Sequence, residues 1–162
     1  DLGTGTGAIA LAFASERHDW RVLGADVEPQ AVALASANAA RLGLNNARFV
    51  TSDWFDALAG ERFAIIVSNP PYIDADDPHL GRDDVRFEPR RALVAADAGL
   101  ADLRALVASA PDHLEPGGWL WLEHGYTQAG AVRALLSAAG YGEITSLTDL
   151  GGHERVSGGR WG

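Results

Sequence analysis

Two spacings of apolar residues alternate along this chain of 162 residues. Apolar positions three and four residues apart are typical of helices that cover a core, and short continuous apolar runs are typical of buried strands. The first spacing predicts helices over 8–16, 30–43, about 99–114 and about 127–139. The second predicts strands over 21–26, 47–53, 63–68 and 119–124, near 143–148, and over 154–161. Alternating strands and helices with short connections predict an α/β fold with a mostly parallel, doubly wound sheet.

One predicted connection is much longer than the others. Residues 69–98 are polar and irregular in pattern, and long ordered loops of this kind are usually functional. The segment opens with Asn69-Pro70-Pro71-Tyr72, directly after an apolar strand. A turn is one interpretation, because Asn-Pro commonly opens turns and proline has no N–H to donate to a sheet. A site is the other, because ligands of doubly wound sheets bind at the carboxyl ends of the strands.

Composition narrows the class of protein. Hydrophobic residues make up 47% and charged residues 22% of the chain, which is typical of one soluble domain. No apolar run is long enough to form a membrane helix, so we expect a cytoplasmic protein without membrane contact. Cysteine is absent and the five histidines are scattered, which predicts no metal site. A formal charge of −9 disfavours nucleic acid as the direct substrate.

The sequence opens on what resembles the end of a strand followed by a glycine-rich loop. Methionine is absent and the first residues are Asp1-Leu2-Gly3, so we expect a fragment that lacks the start of its first strand. Glycines then alternate with threonines, and the loop positions are Gly3, Thr4, Gly5, Thr6 and Gly7. Glycine permits tight turning and lets main-chain N–H groups approach a ligand. A plain glycine turn stays open as an alternative, because such patterns are weak alone.

Two further strand ends carry groups that suit an adenosine-type ligand. Asp26 ends the second strand about twenty residues after the glycine loop, the spacing at which an acid accepts hydrogen bonds from ribose hydroxyls. Asp53 and Trp54 end the third strand, where a carboxylate and a flat aromatic ring would frame an adenine. A solvated acid at Asp26 and a core position for Trp54 are the alternatives. Three successive strand ends of this kind favour a nucleoside cofactor.

The tetrapeptide at the fourth strand end fits an amide or amine substrate. An amide nitrogen is a poor nucleophile, so a transferase must hold it close to the reaction partner and accept hydrogen bonds from its N–H groups. Asn69 Oδ1 and the main-chain carbonyl of Pro70 are two such acceptors. Pro71 stiffens the chain, and the Tyr72 ring offers a face for a planar group. We therefore predict Asn69, Pro70 and Tyr72 as catalytic residues and Asn69 to Tyr72 as the substrate site.

The motifs together resemble the PrmC/HemK family of release factor glutamine methyltransferases, which are class I enzymes that use S-adenosylmethionine. The resemblance is carried by "DLGTGTGAIAL" at 1–11, "SDWFDAL" at 52–58, "VSNPPYID" at 67–74, "DVRFEPRRALVAADAGL" at 84–100, "LEHG" at 122–125 and "ERVSGGR" at 154–160. It implies a Rossmann-like methyltransferase domain over 1–162 whose last strand is antiparallel. It also implies a helical N-terminal domain, which we expect to be missing from this chain.

The resemblance further implies roles for the predicted residues. Gly3 to Gly7, Asp26, Asp53, Trp54 and Asn69 would bind S-adenosylmethionine, and Asn69 to Tyr72 would hold a glutamine side chain. The implied activity is that of a protein-(glutamine-N5) methyltransferase acting on the GGQ motif of peptide chain release factors in translation termination. The implied step is direct displacement by the amide nitrogen, which leaves S-adenosylhomocysteine as the product.

Two alternatives of other classes stay open. The same tetrapeptide would suit a nucleic-acid amino methyltransferase that acts on adenine N6 or guanine N2 of a flipped base. A non-catalytic scaffold that binds the cofactor is the second alternative. We assign no catalytic role to Glu88, His124, Arg90 or Arg91, since Glu88 and His124 suit structural roles and the two arginines suit the surface or a face toward a partner.

Overall fold

The computed structural model describes residues 1–72 and 96–162. These residues belong to two compact units, Asp1–Glu61 and Arg62–Gly162, which are described one after the other. The predictions for Glu88, Arg90 and Arg91, and most of the motif at 84–100, lie outside the described residues.

The first unit alternates helices and strands as the apolar spacing predicts. Its elements are α1 (Ala8–Glu16), β1 (Val22–Asp26), α2 (Pro29–Leu42) and β2 (Ala47–Thr51). β1 pairs in parallel with β2, from Val22 opposite Ala47 to Asp26 opposite Thr51. Leu2 forms a parallel bridge with Ala25, so the chain at Leu2 runs beside β1 as the predicted strand end requires.

Helix α2 has both of the end signals seen in its sequence. Pro29 occupies the first turn, where its missing N–H costs nothing, and Gly43 ends the helix in the left-handed conformation with φ of 68°. Gly43 donates its N–H to the carbonyls of Ala39 and Ala40. Ala35 and Ala39 are buried, so the face that α2 turns inward consists of small side chains.

The second unit contains a four-stranded sheet in the order β3-β4-β6-β5. Its elements are β3 (Phe63–Ser68), α3 (Ala96–Gly99), α4 (Ala101–Ser109), a 3-10 helix (Ala110–His113), β4 (Leu114–Glu123), α5 (Ala129–Ala138), β5 (Gly142–Thr148) and β6 (Glu154–Arg160). β3 pairs in parallel with β4, whereas β6 is antiparallel to both β4 and β5. The predicted antiparallel last strand is therefore confirmed. No helix within 1–72 or 96–162 is long and apolar enough to cross a membrane.

The core of the second unit is built largely from leucine. Fully buried side chains come from α4, β4 and α5, namely Leu103, Leu106, Leu114, Leu120, Leu122, Val132 and Leu136. Tyr141 completes this core and donates its hydroxyl hydrogen to the Val107 carbonyl at 3.3 Å. Burial raises the pKa of the Tyr141 phenol well above its usual value. The phenol is therefore a permanent donor in this core.

Three predicted boundaries are wrong. The helix expected over 99–114 is divided, because α3 ends at Gly99 with φ of 79° and Pro111 belongs to a 3-10 turn. The segment predicted to be irregular up to residue 98 already contains α3. β4 begins at Leu114 rather than 119, and its pairing with β3 shifts register after Phe63. Gly117 and Gly118 continue the strand because their main chains exchange hydrogen bonds with Trp161.

The tryptophan pair on β4 places a steric limit on β6. Trp119 and Trp121 stack with ring centroids 5.3 Å apart, and Trp121 lies opposite Gly158. A Cβ atom at Gly158 would overlap the Trp121 ring and lie 2.6 Å from the Leu120 carbonyl oxygen. Since neither the ring nor the strand main chain can yield easily, only glycine fits at this position.

We expect Gly158→Ala to lower the free energy of unfolding by about 1–3 kcal/mol, the usual cost of overpacking. Gly130→Ala is the matched control, because a Cβ at this helical position meets nothing within 4 Å. It should raise stability by up to about 1 kcal/mol through helix propensity. Urea unfolding of the full-length protein measures both, and equal stability of the two variants would contradict the packing argument.

Candidate functional site

The glycine-rich loop is held in a conformation that requires glycine. Gly3, Gly5 and Gly7 have φ values of 70°, 54° and 83°, in the region that L side chains rarely adopt. The N–H groups of Gly3 and Thr4 both donate to the Ala25 carbonyl at 2.9 Å. The loop thus turns tightly over the end of β1, which explains why glycines occupy alternate positions.

Asp26 ties this loop to the end of β1. One carboxylate oxygen accepts a hydrogen bond from the Gly5 N–H at 2.8 Å, and the other accepts from the Glu28 N–H at 2.9 Å. The side chain is only partly buried. A carboxylate oxygen has two acceptor directions, so each can also accept from a ligand hydroxyl. Asp26, which the sequence predicts to bind a ribose, therefore also fixes the conformation of the glycine-rich loop.

Asp1 was not among the predicted site residues, and the structure adds it. Its Oδ2 accepts hydrogen bonds from Thr4 Oγ1 at 2.7 Å and from the Ala10 N–H at 3.2 Å. Its Oδ1 is buried and, among the described residues, has no hydrogen-bond partner. A buried acceptor without a donor is costly unless a ligand supplies one. The signal in the sequence is an acid two residues before the first of the alternating glycines.

Asp53 and Trp54 lie next to Asp26 because β1 and β2 are paired. The Ser52 N–H donates to the Asp26 carbonyl at 2.9 Å, and Ser52 Oγ donates to the Trp54 carbonyl at 2.9 Å. Trp54 has a positive φ of 42°, which is uncommon for a bulky residue. Asp53 is exposed and Trp54 is only partly buried. The tryptophan is thus not a fully buried core residue, and its exposed part is available to a ligand.

The tetrapeptide after β3 begins with one exposed residue that lies between two buried ones. Ser68 is buried and pairs with Leu122 of β4. Asn69 is exposed, whereas the Pro70 side chain is fully buried and anchors the turn. The Tyr72 hydroxyl donates to Glu123 Oε1 at 3.2 Å. An exposed amide therefore projects from a main chain that is fixed on both sides.

Gln128 and Gly99 contact the main chain of the same tetrapeptide. Gln128 Nε2 donates to the Tyr72 carbonyl at 3.1 Å. Gly99 approaches so closely that a Cβ atom there would overlap this carbonyl oxygen. Sequence analysis gave no site role to Glu123, Gln128 or Gly99, because their roles depend on contacts with Tyr72, which is distant in the sequence.

His124 lies in a buried series of hydrogen bonds, which agrees with the structural role predicted for it. Its Nε2 is 2.8 Å from Ser157 Oγ and its Nδ1 is 2.9 Å from the Gly125 carbonyl oxygen. Burial lowers the pKa of the imidazole, and the charges of Arg133 and Arg155 lower it further. The Gly125 carbonyl and the Glu154 carboxylate oppose this shift without reversing it. The neutral imidazole is therefore the form that the fold stabilises.

The predicted site residues fall into one group in each unit. In the first unit the structure brings together the glycine loop, Asp26 and the Asp53-Trp54 pair. In the second unit it groups the tetrapeptide 69–72 with Glu123 and Gln128. The first group offers main-chain N–H donors and carboxylates to a polar ligand. The second offers acceptors and an aromatic ring to a planar amide or amine.

Comparison with known proteins shows which family the chain belongs to. The model of the methyltransferase small domain family matches residues 1–81. The release factor glutamine methyltransferase of Salmonella typhimurium is 56% identical over 161 residues, which cover 99% of this chain and 58% of the relative. The chain thus spans less than two thirds of the length of this curated relative. The predicted resemblance to the release factor glutamine methyltransferases is confirmed.

Solved structures confirm the predicted fold class. A methyltransferase from Pyrococcus furiosus has a TM-score of 0.74 at 21% identity and covers 99% of this chain and 74% of its own. The T. thermophilus 16S rRNA N2 G1207 methyltransferase, solved with AdoMet and guanosine, has a TM-score of 0.69 at 25% identity. This match covers all of the present chain and 36% of the other. The α/β class I methyltransferase fold is therefore established.

We expect the stability of the protein to fall as the pH drops below about 6.5, the usual histidine pKa. The unfolded state takes up a proton at His124 in that range, whereas the folded state resists protonation because its pKa is lowered. His124→Asn keeps a donor for the Gly125 carbonyl and should flatten this slope. Urea unfolding between pH 5 and 8 measures it.

The matched control is Asn45→Ala at an exposed position without a titratable group, which should leave the slope as in the wild type. A His124→Asn variant whose stability falls with pH as steeply as that of the wild type would contradict the assignment.

Proposed function

Since the chain belongs to the methyltransferase small domain family, we propose that it transfers the methyl group of S-adenosylmethionine to a glutamine side-chain amide in peptide chain release factors. Support comes from relatives named release factor glutamine methyltransferase, which are 50–58% identical to almost the whole chain. The observation that carries the proposal is the tetrapeptide 69–72, where an exposed amide projects from a rigidly held main chain.

The residues of the first unit fit the proposed cofactor. Asp26 would accept hydrogen bonds from ribose hydroxyls, and Trp54 would contact the adenine. The glycine loop would approach the methionine part closely, since no Cβ stands in the way. The buried Asp1 Oδ1, which has no donor among the described residues, suits a cationic group such as an α-ammonium. When bound, the cofactor supplies a methyl group made electrophilic by its sulfonium.

The residues of the second unit fit the proposed substrate. Asn69 Oδ1 and the Pro70 carbonyl would each accept a hydrogen bond from the two N–H groups of a primary amide. The face of the Tyr72 ring would support the planar amide from one side. Because the Tyr72 phenol is bonded to Glu123, the ring does not have to be ordered when the substrate binds. We therefore assign the substrate site to Asn69, Pro70, Pro71 and Tyr72.

These acceptors would favour the transition state over the ground state. An amide nitrogen gains positive character as it forms a new bond to carbon, so its N–H groups become stronger donors. Hydrogen bonds to Asn69 and Pro70 would then strengthen during the reaction, which is the condition for catalysis by differential binding. Deprotonation can follow the transfer, so no strong general base is required. The proton leaves to solvent or to a neighbouring acceptor.

Nucleic acid is the competing substrate. The rRNA methyltransferase noted above acts on a guanine amine in a related fold, and the chemistry of an exocyclic amine resembles that of an amide. The formal charge of −9 opposes binding to phosphates and favours a protein substrate. A non-catalytic scaffold is disfavoured by the exposed Asn69, since a protein that only binds a cofactor has no need of an amide clamp.

We expect the full-length protein to transfer labelled methyl groups to purified release factors at a glutamine, as located by mass spectrometry. Asn69→Ala should lower single-turnover transfer at saturating cofactor by roughly ten- to a thousandfold, the usual cost of one positioned polar group. Its affinity for the cofactor should stay within a few fold, because Asn69 acts mainly on the substrate.

Asn45→Ala is the matched control for Asn69, because Asn45 is exposed in the connection before β2. Label on RNA or DNA with none on release factors would reverse the choice of substrate. Transfer by Asn69→Ala at the wild-type rate would show that the tetrapeptide is only a turn.

We expect Asp26→Ala to weaken cofactor binding by about 1–3 kcal/mol, because charge-assisted hydrogen bonds are lost. Isothermal titration calorimetry with S-adenosylhomocysteine measures the change in affinity. Thermal melting separately reports the loss of stability caused by removing the hydrogen bond from the Gly5 N–H. Asp19→Ala removes an exposed carboxylate of the same unit and should leave the dissociation constant unchanged. An unchanged constant for Asp26→Ala would refute the ribose assignment.

A further inference from the structure

Gln128 connects the turn after β4 to the proposed substrate site. Its Oε1 accepts a hydrogen bond from the Gly125 N–H at 2.8 Å, and its Nε2 donates to the Tyr72 carbonyl at 3.1 Å. The Gln128 N–H donates in turn to the Gly125 carbonyl at 2.8 Å. The side-chain amide therefore joins two main-chain segments, and Gln128 itself is 56 residues from Tyr72 in the sequence.

The chemistry of its partners fixes the orientation of this amide. A main-chain N–H can only donate, so the Gln128 oxygen must face Gly125. A carbonyl can only accept, so the Gln128 nitrogen must face Tyr72. Rotating the amide by 180° would lose both hydrogen bonds, because its NH₂ group would face the Gly125 N–H and its oxygen would face the Tyr72 carbonyl oxygen. Gln128 thus holds the Tyr72 carbonyl in one position.

A directed series of hydrogen bonds holds the Gly125 end in place. Arg133 Nη1 donates to Ser146 Oγ at 2.6 Å, and Ser146 Oγ is 2.8 Å from Ser157 Oγ. Ser157 continues to His124 Nε2, and His124 Nδ1 reaches the Gly125 carbonyl oxygen. The Gly125 carbonyl can only accept, so a neutral imidazole carries its hydrogen on Nδ1 and accepts from Ser157 at Nε2, and Ser157 in turn accepts from Ser146. In this arrangement every hydroxyl hydrogen from Ser146 to His124 points toward Gly125.

The charged groups around the imidazole are consistent with this direction. Arg133 and Arg155 disfavour an added positive charge, whereas Glu154 favours it. Glu154 is itself engaged, because its Oε1 accepts a hydrogen bond from Arg133 Nη1 at 2.8 Å. A doubly protonated imidazole would donate to Ser157, whose hydroxyl hydrogen would then lose its imidazole acceptor.

We infer that Gln128 is a positioning residue for methyl transfer, which fixes the Tyr72 main chain and thereby the two acceptors that precede it. The inference rests on the proposed function, because it assigns a role in the same substrate site. Pro70 and Pro71 make the segment stiff, so a shift of the Tyr72 carbonyl carries over to the Pro70 carbonyl. Misplacement of a reacting group by about 1 Å costs about a hundredfold in rate.

Gln128→Glu tests the inference with little change of shape. The carboxylate keeps an acceptor for the Gly125 N–H and replaces the donor to Tyr72 by a second oxygen, which repels the carbonyl. We expect kcat for release factor methylation to fall about ten- to a hundredfold, with cofactor affinity within a few fold. Thr127→Glu adds the same charge at the neighbouring exposed position and should retain the wild-type rate.

The pH dependence of the methylation rate distinguishes loss of the hydrogen-bond donor to Tyr72 from loss of the folded structure. As the pH falls from 8 to 5, the carboxylate introduced by Gln128→Glu is protonated in an increasing fraction of molecules and can donate to Tyr72 again. The rate of Gln128→Glu relative to the wild type should therefore rise toward pH 5. Effects of pH on His124 cancel in this ratio, because both proteins contain it.

Each other result overturns the inference. A Gln128→Glu rate equal to that of the wild type would show that the contact has no role in positioning. Equal losses of kcat in Gln128→Glu and Thr127→Glu would assign the effect to the added charge. A rate ratio of Gln128→Glu to wild type that does not change with pH would exclude the missing donor to Tyr72 as the cause. A wild-type protein inactive on release factors would overturn the proposed function and this inference together. Wild-type activity alongside an unaffected variant overturns only the inference.

Discussion

Two consecutive prolines cannot donate main-chain hydrogen bonds, so the chain that leaves β3 has to be held in place by other groups. In the second unit this requirement is met from three directions. The Pro70 ring is buried, Glu123 accepts from the Tyr72 hydroxyl, and Gln128 donates to the Tyr72 carbonyl. Glu123 at the end of β4 and Gln128 in the turn after it both meet this need. It leaves Asn69 as an exposed amide on a rigid support.

In the first unit, the carboxylate of Asp26 helps to order a flexible loop. A loop of alternating glycines has high conformational freedom, and ordering it costs more entropy than ordering other residues. The Ala25 carbonyl accepts two N–H groups of this loop, and Asp26 accepts a third. The conformation is thus fixed by the end of β1 before any ligand arrives. A loop ordered in advance loses less free energy when it binds.

The elements of the fold were predictable where local signals agreed with the packing. Pro29 and Gly43 mark the ends of α2, and the apolar run before Asn69 forms β3 as expected. The start of β4 was not predictable, because Gly117 and Gly118 favour a turn in isolation. They continue the strand through hydrogen bonds with Trp161, which is more than forty residues away in sequence. Such long-range contacts leave no local pattern.

Some residues of the candidate site were likewise predictable from local sequence, and others were not. Residues in a glycine-rich or proline-rich motif were found from the sequence, since these residue types are rare in such arrangements. Glu123 and Gln128 were missed, because their roles arise only when β3 and β4 pair and the following turn closes. Asp1 was missed although it stands next to the glycine motif. Its importance depends on burial, which the sequence does not report.

The position of β6 between β4 and β5 has a consequence for synthesis on the ribosome. β6 is the last of the described strands to be translated, yet its Ser157 hydroxyl is a partner of His124 in the middle of the sheet. Before β6 is made, β4 and β5 have no strand between them to join their edges. The turn that carries Gln128 is then without the buried serine that helps to fix it. The hydrogen bonds around this turn of the second unit therefore form late in translation, after Ala25 and Asp26, which hold the glycine-rich loop of the first unit, have been made.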